Sequence, residues 1–168
     1  MNPPQLNEFA PFYAGYIQAV GDDVFGLLEN QVTDFTALLK SIPAEKADYA
    51  YAEGKWTIKE LIGHVIDTER IMTYRITCVA RNDKTSLPGF EENGYVINAH
   101  FADRTIDSFA EEFNLLRRSN LILYKSFNED ELSRLGNANG HPISARALLF
   151  IIAGHLNHHI NILKERYL

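Results

Sequence analysis

The stretch Thr57-Ile-Lys-Glu-Leu-Ile-Gly-His-Val-Ile-Asp-Thr-Glu-Arg70 begins the most clearly marked helix of the chain. Its first four residues form a capping box, in which the Thr57 hydroxyl accepts from the Glu60 amide and the Glu60 carboxylate accepts from the Thr57 amide. Trp56 and Leu61 occupy the positions of a hydrophobic staple around this start. Side chains at helical spacing then extend one buried face to about residue 81. The members of that face are Leu61, His64, Val65, Thr68, Met72, Ile76 and Val79.

Three other segments show the same helical spacing of apolar residues, so we predict four long helices in all. The first runs from Asp22 to Leu39 and ends before Pro43. The third runs from about Ile106 to Phe127, and the fourth follows the N-cap residue Ser144 and continues to the C-terminus. Amphipathic helices without an alternating strand pattern indicate an all-α fold, a four-helix bundle.

The connections between these helices decide the predicted topology. Residues 82–104 contain the turn-forming pairs Pro88-Gly89 and Asn93-Gly94, which predict a long irregular crossover. This crossover between helices 2 and 3 lets them run parallel, so that the bundle is up-down-down-up. Between the third and fourth helices we expect a short helical turn at 128–134 and a loop at 136–140.

The composition bounds the class of protein. The chain has 168 residues, of which 46% are apolar and 23% charged, and we predict a single domain over 1–168 with an irregular N-terminal arm at 1–20. A net charge of -6 without a long basic block disfavours nucleic acid and anionic membranes as partners. Cys78 is the one cysteine, which fits a reducing compartment. Because no secretory leader and no membrane-spanning stretch is recognisable, we expect a cytoplasmic protein.

Three of the six histidines fall on predicted buried helix faces. His155 and His159 are four residues apart, so both rings project over one patch of the last helix. If the second and fourth helices are antiparallel, His64 and His159 lie at depths of roughly 10 and 13 Å, where they can meet. Neutral imidazoles offer lone pairs without adding charge to a buried site. Three such ligands leave a fourth coordination position for water, as in catalytic zinc sites.

A structural role competes with the metal hypothesis. A lone buried histidine such as His64 is often a hydrogen-bonded core residue. Burying His155 and His159 together without a shared partner is costly, which favours a common ligand. The remaining histidines are expected at the edge of the stripe or solvated in loops: His158 at the edge, His100 and His141 in loops.

Two motifs resemble those of the DinB/YfiT-like superfamily, which are helical bundles described as metal-dependent enzymes. They are Lys55-Trp-Thr-Ile-Lys-Glu-Leu-Ile-Gly-His64-Val-Ile-Asp-Thr-Glu-Arg70 and Gly154-His155-Leu-Asn-His158-His159, and the chain ends Glu165-Arg-Tyr-Leu168. The resemblance implies an up-down-down-up bundle that commonly dimerises, with His64, His155 and His159 as the ligands of a divalent metal ion. Members differ in chemistry, since some are implicated in hydrolysis and others use low-molecular-weight thiols. Leu156 departs from the glutamate that relatives often carry there.

Two classes of function follow. The first is a metal-dependent enzyme, a hydrolase or a thiol-dependent S-transferase, acting on a small-molecule substrate as a homodimer, with Zn or Ni as the expected ion and a low-molecular-weight thiol as a candidate cofactor. The second is a non-catalytic metal-binding bundle that acts through dimerisation or partner binding. The absence of any Glu-x-x-His sequence disfavours a di-iron carboxylate bundle.

Other polar residues of the second helix have two interpretations each. Asp67 lies one turn beyond His64 and is the candidate catalytic residue, although an exposed helix carboxylate explains it equally well. Arg70, Tyr74 and Arg75 either bind an anionic substrate or form a solvated helix face.

Overall fold

A computed structural model describes residues 1–168, and most of the chain is helical. The four predicted long helices are present: α2, Val24–Lys40; α3, Ile58–Ala80; α5, Ile106–Lys125; and α7, Ala145–Ile162. A short helix, α1 (Ala14–Gln18), lies in the N-terminal arm, which is thus more regular than the sequence predicts. Two further short helices lie in the connections between the long ones: α4, Glu92–Asn98; and α6, Glu129–Ser133. None of the helices combines the length and the apolar character that crossing a bilayer requires.

Side-chain caps begin the long helices where the sequence predicts them. The Thr57 hydroxyl accepts from the Glu60 amide at 3.2 Å, and the Thr57 amide donates to the Glu60 carboxylate at 2.7 Å, which completes the capping box of α3. Ser144 caps α7 by accepting from the Ala147 amide at 3.0 Å. The starts of α3 and α7 are therefore fixed by local chemistry, and with them the distance of every residue from the start of its helix.

One buried polar network joins all four long helices. Arg117 of α5 is fully buried and donates to both carboxylate oxygens of Glu69 of α3, at 2.7 and 2.9 Å. It also donates to the side-chain oxygen of Gln31 of α2 at 2.8 Å. The Gln31 amide nitrogen in turn donates to the Ala153 carbonyl and to Asn157 of α7, at 2.8 and 2.7 Å. Apolar clusters pack on both sides of this network.

The segment between α6 and α7 differs from the expected loop. Leu135–Ala138 (β2) and His141–Ser144 (β3) pair antiparallel, and Ser86–Leu87 (β1) pairs with β2 in parallel. Asn139 and Gly140 both have positive φ, 54° and 78°, as a two-residue hairpin turn requires. His141 accordingly lies in a strand, although its side chain is exposed as expected.

The crossover between α3 and α5 is more ordered than the sequence predicts. Besides β1, it contains α4 and a turn of 3-10 helix at Phe101–Asp103. The side chain of Glu91 caps α4 by accepting from the amides of Asn93 and Gly94. Val96 of α4 is buried, so this short helix is anchored to the bundle instead of projecting from it.

The N-terminal arm packs along α7. Glu8 is buried and accepts from the Ser144 hydroxyl at 2.7 Å and from Nε of Arg146 at 2.8 Å. Gly154 permits the closest approach, because a Cβ built there would lie 2.1 Å from the Tyr16 carbonyl oxygen. Burial by itself raises the pKa of Glu8, but the hydrogen bonds from Arg146 and Ser144 outweigh it and hold that pKa below its usual value of 4.5.

We expect Glu8→Gln to lower the free energy of unfolding by about 1–3 kcal/mol at neutral pH, because the Arg146 side chain loses its carboxylate partner. Glu29→Gln, which removes an exposed ion pair with Lys125, should change it by less than about 1 kcal/mol. Urea unfolding measures both values.

The contribution of Glu8 to the free energy of unfolding depends on pH in a defined direction. Since the folded-state pKa of Glu8 lies below 4.5, its contribution is complete above that pH and is lost as the pH falls through the folded-state value. Equal stability of wild type and Glu8→Gln at pH 7 would contradict this account of the arm.

Candidate metal centre

The three predicted histidines meet at one point between α3 and α7. Nε2 of His155 lies 3.1 Å from Nε2 of His64 and 3.1 Å from Nε2 of His159. All three side chains are buried, and one nitrogen from each falls within 4.8 Å of the other two. The caps at Thr57 and Ser144 fix how far each imidazole lies from the start of its helix, and the packing of α3 against α7 brings the three rings together.

Burial keeps the three rings neutral. Loss of hydration lowers the pKa of His64 to about 4. The pKa of His159 falls to about 3, mainly through burial and further through the nearby His64 and His158. His155 has a pKa well below its usual value for the same reasons, with burial as the largest cause. The cluster therefore presents uncharged imidazoles at physiological pH, the form that binds metal ions.

Hydrogen bonds among the three rings cannot give every buried ring nitrogen a partner. A ring nitrogen carries either one hydrogen or one in-plane lone pair, so Nε2 of His155 can pair well with only one of its two neighbours. Nδ1 of His159 is buried and has no hydrogen-bond partner. A shared cation would accept all three lone pairs at once, and nitrogens at about 2.0–2.1 Å from a tetrahedral zinc ion would be about 3.3 Å apart. The donor set therefore fits a divalent metal ion.

Neighbouring side chains orient the ring of His64. Thr68 Oγ1 lies 3.5 Å from Nδ1 of His64, where it can accept the ring hydrogen and leave the Nε2 lone pair facing the cluster. The Trp56 ring packs against the same imidazole with 4.7 Å between ring centres. These contacts restrict the rotation of His64 before any ion binds.

The structure does not bring Asp67 into the cluster. Its carboxylate lies 3.6 Å from the Arg70 guanidinium on the side of α3 that faces Glu112. Burial raises the pKa of Asp67, while Arg70 acts against that rise. The catalytic role of Asp67 stays a prediction, and its position is that of a half-buried surface ion pair.

A carboxylate that the sequence did not single out, that of Glu92, lies beside the cluster. Its Oε2 lies 3.5 Å from Nε2 of His64, and its side chain is 56% exposed at the mouth of the site. Glu92 is the first residue of α4, inside a segment whose turn-forming pairs predicted an irregular loop. The length of that crossover was the one available signal, because long ordered connections often carry functional residues.

Two cavities open onto the cluster from different sides. The arm-side cavity, of about 350 Å³, is bordered by His64 and His155 and by aromatic residues of the N-terminal arm. The C-terminal cavity, of about 270 Å³, is bordered by His159, Trp56 and Tyr167. Each cavity leaves room for a ligand beside the ring nitrogens of the cluster.

The other histidines lie outside the cluster. His158 is exposed and stacks near Tyr16, with 5.4 Å between ring centres. His100 is exposed in the crossover, and His141 is exposed on β3 beside Phe12. Leu156 is buried in the apolar core and does not face the cluster cavities.

Comparisons with known proteins agree with this architecture. A sequence profile described as the DinB superfamily matches residues 27–163. YfiT from Bacillus subtilis, described as a probable metal-dependent hydrolase with an unusual four-helix bundle topology, superimposes with a TM-score of 0.70, covering 98% of this chain and 90% of YfiT at 15% identity. At such identity the likeness shows the fold alone.

A second solved structure is a mycothiol-dependent maleylpyruvate isomerase, with a TM-score of 0.66 and 15% identity. The match covers 82% of this chain and 58% of the isomerase, so this chain spans little more than half the length of that enzyme. No curated protein sequence matches the chain at a significant level.

Because the three histidines are buried in their neutral form, we expect the metal-free protein to lose stability in acid. In EDTA, the unfolded chain binds protons on its histidines below about pH 6.5, whereas the folded pKa values of His64 and His159 are about 4 and about 3. The free energy of unfolding should therefore fall by a few kcal/mol between about pH 6.5 and pH 4. Urea unfolding at a series of pH values measures this slope.

His159→Leu should make the slope shallower, because one buried titrating group is removed, and the exposed replacement His141→Gln should leave it unchanged. A flat profile for the wild-type chain over this range would contradict the buried neutral cluster.

Proposed function

Since the chain belongs to the DinB superfamily, we propose that it is a metal-dependent enzyme whose divalent ion is held by His64, His155 and His159. The observation that carries the proposal is the convergence of three buried Nε2 atoms beside open cavities. A purely structural ion would normally be closed in by a fourth protein ligand. Zn and Ni are the ions we expect, because both accept imidazole ligands.

The reaction class we propose first is hydrolysis. A divalent ion held by these three histidines would lower the pKa of a water or thiol beside it. Glu92 is placed to accept the proton, since its carboxylate lies within 3.5 Å of a ligand nitrogen and reaches solvent. The arm-side cavity would hold the substrate, and the buried walls of α3 and α7 would exclude bulk water from the reacting bond.

Thiol-dependent transfer is the second candidate. The two cavities supply a specific reason, because a transferase must hold a thiol and an acceptor on different sides of one centre. The structural likeness to a mycothiol-dependent isomerase is consistent with this class. The alternative of a non-catalytic metal-binding bundle requires that neither cavity admit a reactant.

The proposal also includes the topology, the domain organisation, the oligomeric state, the substrate class and the location predicted from the sequence. The up-down-down-up topology is supported by contacts that ascend together along α3 and α5, from Glu69 with Arg117 to Thr73 with Tyr124. A single domain over 1–168, a homodimeric state, a small-molecule substrate and a cytoplasmic location complete the proposal.

Purified protein expressed with added Zn or Ni should contain about one equivalent of metal per chain. His64→Ala, His155→Ala and His159→Ala should each lose most of it, because two imidazoles hold an ion far less tightly than three. Elemental analysis by mass spectrometry measures the content. His158→Ala and His141→Gln are matched controls that remove exposed histidines and should keep the metal. A metal-free wild-type protein after supplementation would refute the site.

Turnover should separate the roles of the two acidic residues. On a panel of activated esters and amides, and of thiols with electrophilic acceptors, Glu92→Gln should lower kcat by about 100-fold if this carboxylate moves the proton. Asp67→Asn should have the smaller effect, because its carboxylate pairs with Arg70 away from the cluster. Mass analysis of products distinguishes hydrolysis from thiol transfer. Activity unchanged by Glu92→Gln would remove this residue from the mechanism.

A further inference from the structure

Arg75 is a buried cation without a carboxylate partner. Only 3% of the residue is exposed, yet no Asp or Glu oxygen lies within 4.0 Å of its guanidinium. It donates to the Pro88 carbonyl at 2.7 Å and more weakly to the Met72 sulfur at 3.6 Å. Arg117, the other deeply buried arginine, is paired with Glu69 on two atoms. Arg75 therefore carries a positive charge that no carboxylate of the protein neutralises.

The arm-side cavity places this cation beside the metal centre. Arg75 and His64 both border it, with Thr68 and Met72 between them. Eleven residues separate Arg75 from His64 on α3, which corresponds to a rise of roughly 16 Å and a rotation of only roughly 20°. Because helical side chains lean toward the N-terminus, the guanidinium extends back toward His64. One ligand in this cavity can contact both groups.

The residues that line the cavity indicate which chemical groups that ligand carries. Phe12, Tyr13, Tyr16 and Phe90 supply aromatic surface, and the Phe90 ring lies 5.8 Å from the Arg75 guanidinium carbon. Tyr13 contributes a phenol beside Arg75, and burial raises the pKa of that phenol although Arg75 acts against the rise, so the hydroxyl remains a hydrogen-bond donor. A planar guanidinium matches a carboxylate, and a single cation neutralises a single negative charge.

We propose that Arg75 binds the carboxylate of an amphipathic organic acid, whose reacting group lies several bonds away at the three histidines. The position of the reacting group rests on the proposed function, whereas the position of the acid rests on Arg75 and the cavity. Two arginines of α3 therefore have different roles. Arg70 forms a surface ion pair with Glu112, whereas Arg75 binds the carboxylate of the ligand. Binding of an anion offsets the cost of burying an unpaired guanidinium.

Glu92 provides a second test of the same charge arrangement. Its carboxylate borders the arm-side cavity and carries the sign opposite to Arg75. A bound acid is repelled by it, so removing this charge strengthens acid binding. Because Glu92 is largely exposed, Glu92→Gln tests the proposal without a change in the core.

The test compares 4-phenylbutanoate with its neutral match 4-phenylbutanamide on the full-length chain, by calorimetry or ligand-observed NMR, with Zn²⁺ and in EDTA. The wild type should bind the acid at least about tenfold more tightly than the amide. Arg75→Met should abolish this preference, Arg75→Lys should keep part of it because the charge remains, and Glu92→Gln should enlarge it. Arg118→Gln, which removes an exposed arginine of α5, should leave it unchanged.

Equal affinity for acid and amide in the wild type would overturn the proposal, as would an unchanged preference in an Arg75→Met protein that unfolds cooperatively. If Arg75→Met does not fold, an unchanged preference in Glu92→Gln overturns it instead. A preference found only with Zn²⁺, and retained in Arg75→Met, would place the acid on the metal ion and refute the role of Arg75 while leaving the proposed function intact. An Arg75-dependent preference in EDTA, in a chain that binds no metal, would support the acid site and refute the metal-dependent enzyme.

Discussion

The buried pairing of Glu69 with Arg117 is the constraint on which the arrangement of the helices depends. Both side chains are withdrawn from water, and such a pair is tolerated only when the remaining donors and acceptors are also satisfied. Gln31 and Asn120 complete that requirement, Gln31 by accepting from Arg117 and Asn120 by donating to Glu69. Because these partners come from α2, α3 and α5, a shift of any one of these three helices would leave a buried charge incompletely bonded.

The same network fixes the rotation of the helix that carries His155 and His159. Gln31 binds the Ala153 carbonyl and the Asn157 side chain of α7. His155 lies two residues from each, which turns its ring roughly 160° away from that anchored face and toward α3. The network therefore determines which face of α7 meets His64, while the cap at Ser144 fixes how far His155 and His159 lie from the start of α7.

Much of this could be predicted from sequence, because caps and helical stripes are local signals. Thr57, Glu60 and Ser144 mark the starts of α3 and α7, and the three histidines interrupt stripes that are mostly apolar. The hairpin at 135–144 was missed because its strands are short and its two-residue turn was interpreted as part of a loop. Glu92 and the burial of Arg75 could not be predicted, since both depend on how the crossover folds over α3.

The parts of the structure that the sequence predicts and the parts that it does not predict have different roles in the molecule. Helix caps and the buried network produce a rigid set of imidazoles, which suits several reactions equally well. The residues that would select a substrate come from the arm and the crossover: Tyr13 and Tyr16 from the first, Phe90 and Glu92 from the second. Both segments are anchored to the bundle through few polar contacts, such as Glu8 with Ser144 and Pro88 with Arg75. Sequence change in these segments can therefore alter the ligand while leaving unchanged the helix caps and the buried network that support the three imidazoles.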